Sequence, residues 1–221
     1  MPPKTIASLA RAVAGPLPGP AAQYQMAPGH RAGPEVTANP PQNARLAAVL
    51  ILLYIKDAQT APGSPGDFHI PMMLRPARTG PHSGQISFPG GARELHDPDL
   101  AATALRESEE ELSIVPADVR IVGALSKIYV PPSGYLVSPY VGWSMRRPDF
   151  IPDPREVDQI LEIPLAHLLD PANRASEERD TQWGRTRVPY FSFSENEREH
   201  KIWGASAMIL SELLAVLRQI E

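Results

Sequence analysis

Glu107, Glu110 and Glu111 fall at i, i+3 and i+4, the spacing that sets three carboxylates on one face of an α-helix. Like charges at those spacings oppose one another, so the cluster is locally unfavourable unless a cation neutralises it. Oxygen donors favour a hard dication, Mg²⁺ or Mn²⁺, and Mg²⁺ is commonly held by few carboxylates together with waters and substrate phosphates. The chemistry that follows is attack of an activated water on a phosphate-bearing small molecule, with a spare carboxylate taking the water's proton. The competing reading of Arg106-Glu107-Ser108-Glu109-Glu110-Glu111 alone is a solvated acidic face with Arg106 paired to Glu110 at i+4. Upstream, Pro89-Gly90-Gly91 supplies backbone that turns tightly and approaches a ligand closely.

These acids need a helix and a sheet to hold them. Asp97-Pro98 offers an N-cap followed by proline at the first helical position, and the periodicity predicts a helix over 99–112. Leu105 and Leu112 point away from the acids toward a core, Asp97 is expected as a structural cap, and Glu109 as a surface residue. The run 45–56 reads as a strand buried on both faces. A second strand at 70–75 suits a hairpin with it, and further strands are predicted at 85–88, 119–129, 135–143, 159–162, 188–193 and 200–203. Leu210, Leu213, Leu214 and Leu217 give a closing helix an apolar face. Strands with one helix in their midst and one at the end predict an α+β fold, a mixed sheet covered by helices on both faces.

Residues 1–44 read as a terminal arm, a short amphipathic helix on Ile6, Leu9, Ala10 and Val13 followed by an irregular Pro/Gly/Ala-rich stretch, and 45–221 as the main domain. The arm is expected to wrap the domain or a second copy, which makes a homodimer a candidate arrangement. With 21% charged and 43% hydrophobic residues the chain is ordinary for a globular protein. A net charge of −4 gives no basic surface for nucleic acid. The absence of cysteine excludes disulfides, thiolate nucleophiles and cysteine-held zinc. No apolar run is long enough to cross a membrane as a helix. Lys4, Arg11 and Arg31 precede the first acid, but the Ser and Arg enrichment of a targeting sequence is lacking, so the cytoplasm is expected.

The segment from Gly91 through Arg106-Glu107-Ser108-Glu109-Glu110-Glu111-Leu112-Ser113-Ile114 resembles the box of the Nudix hydrolases. The resemblance implies an α/β/α sandwich whose loop–helix–loop binds Mg²⁺ or Mn²⁺. It implies Glu107, Glu110 and Glu111 as metal ligands with Gly91 beside them, one glutamate as base in some members, and Arg106 as the residue that orients them. Two departures stand out: one extra residue separates Gly91 from Arg106, and Ser113 stands where the family has glycine. A non-glycine residue held in αL costs on the order of 1 kcal/mol.

Arg75, Gly84, Phe88, Pro89, Gly90 and Gly91 are similar to a second motif, that of the family's coenzyme A diphosphatases, with His82 and Gln85 fitting its surroundings. Met73, Pro76 and Gly80 depart from it, and Arg78 is a candidate compensating cation. Pro132-Ser133-Gly134-Tyr135, the segment 156–165 and Ile202-Trp203-Gly204-Ala205 extend the resemblance over nearly the whole chain. It implies cleavage of coenzyme A or its thioesters to adenosine 3′,5′-bisphosphate and 4′-phosphopantetheine, with Arg75, Arg78, His82, Gln85, Gly90 and Gly91 at the substrate. Glu156 either assists the base or faces solvent. Trp203 and Tyr135 are of a kind to stack on a base, but core packing is the expectation for both. Two alternatives stand: action on another nucleoside diphosphate derivative such as ADP-ribose, for which Pro131 and Pro132 are well placed, and a catalytically weakened nucleotide-binding domain.

Overall fold

The structure, a computed structural model, describes residues 3–29, 40–57, 63–77, 84–181 and 184–220. In chain order its elements are α1 (Lys4–Val13), α2 (Pro20–Gln23), β1 (Arg45–Leu53), β2 (His69–Leu74), β3 (Ile86–Ser87), β4 (Gly90–Ala92) and α3 (Leu100–Leu112). There follow β5 (Arg120–Ala124), β6 (Ile128–Val130), β7 (Tyr135–Trp143), β8 (Gln159–Pro164), α4 (Leu165–Leu169), β9 (Arg174–Thr181), β10 (Gly184–Glu195), β11 (Arg198–Trp203) and α5 (Gly204–Arg218).

The aliphatic run of β1 decides the architecture. β1 pairs in parallel with β7, from Arg45↔Tyr135 to Leu53↔Trp143, and antiparallel with β4 through Ala48↔Gly91. β5 and β6 join β7 antiparallel, completing a five-stranded mixed sheet. Because side chains alternate along a strand, β1 divides the core. Ala48, Leu50 and Leu52 share a cluster with Ala104 and Leu112 of α3. Ile51 and Leu53 share another with Ile6 and Leu9 of α1 and with Leu210, Leu213 and Leu217 of α5. Each fully buried Leu or Ile contributes roughly 1.5–3 kcal/mol. The fold is therefore α+β, with a mixed sheet between helices, as the order of elements in the sequence predicts.

Two antiparallel three-stranded sheets, β3-β2-β8 and β11-β10-β9, complete the described strands. The predicted hairpin of β1 with β2 does not form. Both edges of β1 are taken by β4 and β7, so β2 meets it at a single bridge, Tyr54↔His69, and pairs with β8 instead. The predicted strand over 119–129 is broken into β5 and β6, with a register shift at Ile121/Gly123. Two elements carry no apolar pattern to announce them, β4 being two glycines and an alanine and β9 mostly charged, and α4, apolar but five residues long, is too short to show a helical period.

The stretch after α1, which the sequence predicts to be irregular, contains α2 and a 3₁₀ turn, Tyr24–Met26. It is held by Glu212 of α5, a fully buried carboxylate. Glu212 accepts hydrogen bonds from the Gly19 N–H at 3.0 Å, Gln23 Nε2 at 2.9 Å and the Ser126 N–H at 3.2 Å. Among the described residues no helix is long and apolar enough to cross a membrane.

Candidate active site

Two acids at the start of α3 have different surroundings. Asp99 is the N-cap, its Oδ1 accepting from the Ala102 N–H at 2.8 Å. Asp97, predicted to be that cap, lies two residues earlier and is buried. Its Oδ2 accepts from the Glu94 N–H at 2.8 Å and Thr103 Oγ1 at 2.9 Å. Both its oxygens bind Arg106, Nε to Oδ1 at 3.0 Å and Nη2 to Oδ2 at 3.1 Å. Thr103 and Arg106 lie one turn apart on α3 and gather this carboxylate, leaving the cap to Asp99. The Arg106 hydrogen bonds, outweighing burial, hold the Asp97 carboxyl well below the usual carboxylate range.

Arg106 passes that anchoring on. Its Nη2 also donates to the Ala92 carbonyl and to Glu107 Oε1, each at 3.0 Å, and its Nη1 donates to Glu110 Oε1 at 3.2 Å. Glu107 lies flat against Gly91, where a Cβ would stand 2.4 Å from its Oε2. Gly90, at φ +149°, passes so close to β1 that a Cβ would fall 2.3 Å from the Ala48 carbonyl oxygen. Its N–H is thereby aimed at Glu111 Oε2, 2.7 Å away. Glycine is thus required at both positions for the glutamates to lie where they do.

The three glutamates share a helical face by spacing but not by environment. Glu111 is buried, with Arg75 Nη2 3.2 Å from its Oε1. Burial pushes its carboxyl up to about 8; Arg75 and the Gly90 N–H oppose the rise, while Glu107 and Glu156 add to it. Burial also raises Glu107, against the pull of Arg106. Glu110 is the exposed member, its side chain 59% accessible. Arg75 is steadied in turn by Ser87, Nε to Oγ 3.2 Å, and its N–H donates to the Gln85 carbonyl at 3.0 Å.

The exit of α3 brings in Glu156. Ser113 takes the αL conformation, φ 57° and ψ 32°. Its N–H bonds the Glu109 carbonyl at 2.9 Å, the 5→1 bond of an αL closure, and the Ile114 N–H reaches the Ser108 carbonyl at 3.3 Å. Its Oγ donates to the Ile151 carbonyl at 3.1 Å. The Ile151 and Asp153 N–H groups cover the carbonyls of Leu112 and Glu111 at 3.1 and 2.9 Å. The loop is thus sewn to the helix end. Glu156, in the turn after Asp153, is exposed yet close enough to raise both Glu107 and Glu111.

Of the residues the sequence singles out, Glu107, Glu110, Glu111, Arg106, Glu156, Arg75, Gly90 and Gly91 come together here, with the Gln85 carbonyl behind Arg75. Arg78 and His82 lie outside the described residues. Tyr135 and Trp203, expected in the core, are half-buried at strand ends, with the guanidinium of Arg45 4.1 Å from the first ring and that of Arg179 4.6 Å from the second. Asp97 is the residue the sequence reading assigned to the wrong task.

A hard dication fits this donor set. The side-chain donors are carboxylates, the burial of Glu111 outweighs the pull of Arg75 on its ionised form, and the missing Cβ of Gly91 lets Glu107 lie against the backbone. Among the described residues no three His, Asp or Glu side chains already converge as a formed cation site; Glu107 and Glu110 are turned to Arg106 and Glu111 to Arg75.

Known proteins are similar to this chain in sequence. The NUDIX domain family model matches residues 66–183. Nudix hydrolase 22, chloroplastic, of Arabidopsis thaliana is 34% identical over 78% of this chain and 55% of its own. An uncharacterized Nudix hydrolase NudL of Photorhabdus laumondii is 33% identical over 77% of this chain and 84% of its own. The mitochondrial coenzyme A diphosphatase NUDT8 of Homo sapiens is 34% identical over 65% of this chain and 61% of its own. With the helix of glutamates, the glycine pair and these matches in place, the chain belongs to the Nudix hydrolase family. Members of that family generally use divalent metal ions. The chain spans little more than half the length of the Arabidopsis relative.

Proposed function

We propose that the chain is a divalent-metal-dependent diphosphatase acting on nucleoside diphosphate derivatives, with coenzyme A or a thioester of it as substrate. The products are adenosine 3′,5′-bisphosphate and a 4′-phosphopantetheine compound. The observation that carries this reading is the setting of Glu111: a buried carboxylate between the Gly90 N–H and Arg75, beside Glu107 lying on Gly91.

Glu107, Glu110, Glu111 and the Gly91 backbone would hold Mg²⁺ or Mn²⁺. Such an ion supplies charge for the phosphate oxygens and acidifies a water. The protein's own residues do the rest. Asp97 fixes Arg106, and Arg106 orients Glu107 and Glu110. Arg75, at the edge of the cluster, offers a cation to the diphosphate. The water oxygen forms the new bond to phosphorus, the bridging oxygen leaves with its electron pair on the other phosphate, and the water's proton passes to a carboxylate of the group formed by Glu107, Glu111 and Glu156. Support for coenzyme A comes from the upstream set Arg75, Gly84 and Phe88 to Gly91, and from the likeness to the human coenzyme A diphosphatase.

Hydrolysis of coenzyme A beside ADP-ribose, NADH and diadenosine polyphosphates, with Mg²⁺, with Mn²⁺ and with chelator, tests the proposal when products are resolved by mass. Metal-dependent release of adenosine 3′,5′-bisphosphate is expected. Glu111→Gln should stay folded and lose activity by about two orders of magnitude or more. Preference for ADP-ribose would overturn the substrate, and silence on every compound would overturn the reaction.

A further inference from the structure

The outer face of the β9-β10-β11 sheet carries an arrangement that the cleavage chemistry does not use. Phe191, Phe193, His200 and Ile202 are buried on one face; alternation turns Trp203, Lys201 and Tyr190, the last itself buried, to the other, with Glu177 and Arg179 of β9. There the Arg179 guanidinium lies 4.6 Å from the Trp203 ring centre, and Lys201 Nζ lies 4.9 Å from that of Tyr190. Glu177 bridges the two cations, accepting from Lys201 Nζ at 2.6 Å and from Arg179 Nε. Both cations lie over aromatic rings and share Glu177, and Glu199, on the same strand as Lys201, also acts on Lys201. The Arg179 and Lys201 side chains are 28% and 31% accessible, so a ligand can reach them.

This sheet lies beside β3, the strand that supports Arg75. β11 runs beside β3, and Ser206 Oγ donates to the Ile86 carbonyl at 3.0 Å. Ile86 turns inward with Ile202; the next residue, Ser87, turns outward and bonds Arg75, which holds Glu111. The sheet that carries the aromatic pair is thus joined to the Arg75–Glu111 pair through β3.

We infer that Trp203, Arg179 and Lys201 seat the purine nucleotide end of the substrate, the base stacking on the Trp203–Arg179 pair and a ribose phosphate taking Glu177's place as partner of the two cations. Stacking on an aromatic ring and charge-assisted bonds to phosphate are the two interactions that such an end offers. The link between this seat and hydrolysis rests on the diphosphatase function proposed above.

Adenosine 3′,5′-bisphosphate binding to the full chain tests the seat without turnover, by calorimetry and by tryptophan fluorescence. Arg179→Ala and Lys201→Ala change partly exposed side chains, so a folded protein is expected in both. Each should weaken binding by about tenfold or more, and Trp203→Phe should lose the quenching that the stacked base produces. For coenzyme A the same two alanine variants should raise KM with kcat within about twofold, and dephospho-coenzyme A should lose the dependence on Lys201. Unchanged affinity for the bisphosphate in both alanine variants would overturn the seat, whatever the enzyme hydrolyses. Weakened bisphosphate binding in a protein that cleaves no coenzyme A would uphold the seat and overturn the proposed reaction.

Discussion

Asp97 shows how far residue types and spacing reach. The three glutamates of α3 could be read from their spacing, because i, i+3 and i+4 is a local relation. Asp97 could not, since Asp97-Pro98-Asp99 offers two acids to one cap, and the choice depends on Thr103 and Arg106 closing over the first of them. The difference in burial between Glu111 and Glu110 was likewise invisible, because it is set by β4 and Arg75 rather than by the helix. Asp97→Asn keeps the shape and removes the charge that two guanidinium nitrogens bind. It should destabilise the protein by about 1–3 kcal/mol, read as a lower urea midpoint at unchanged slope. Activity should fall by more than the unfolded fraction explains, because Arg106 then orients Glu107 and Glu110 without its anchor. A variant with wild-type midpoint and wild-type rate would show that Arg106 needs no such support.

Among the elements, those with a strong apolar period were legible: β1, β7 and α3 lie close to their predicted spans, and α5 carries the apolar face of Leu210, Leu213, Leu214 and Leu217. Those made by backbone pairing alone, β4 and β9, were not, and neither was the sheet to which β2 belongs, which depends on long-range competition for the edges of β1. The exit of α3 is the instructive junction. Ser113 in place of glycine raises the cost of the αL conformation, on the order of 1 kcal/mol, yet its Oγ bond to Ile151 returns about as much. Two substitutions separate these effects. Ser113→Gly removes both the strain and the bond and should leave stability nearly unchanged. Ser113→Ala removes only the bond and should cost about 1 kcal/mol. Equal unfolding midpoints for the two variants would mean that neither effect operates at this turn.

At the scale of the whole molecule, polar clusters at the seams join layers that hydrophobic patterning alone leaves free to slide. Glu212 fixes the segment after α1 to α5, so part of the arm that composition sets apart is packed into the core, with Ile6, Leu9 and Val13 buried beside α5. Glu162 of β8 ties the β3-β2-β8 sheet to the mixed sheet. Its carboxylate receives Arg147 Nε at 2.7 Å and Nη2 at 2.9 Å, the Tyr54 hydroxyl at 2.7 Å and Lys56 Nζ at 3.2 Å. Burial works to raise this carboxyl, but the hydrogen bonds from Arg147, Tyr54 and Lys56 prevail and bring it down to about 2 from an ordinary 4.5. The folded value lies below the unfolded one, so the folded state holds the ionised form more strongly. The stabilisation is complete above about pH 4.5 and is lost as the pH falls toward about 2. With Lys56 and Arg147 partly exposed and therefore screened, it amounts to on the order of 1–2 kcal/mol. Urea midpoints of the wild type should fall more steeply through that window than those of Glu162→Gln, and the two proteins should converge at its acid end. Parallel curves would show that this seam is held by packing and not by the charge of Glu162.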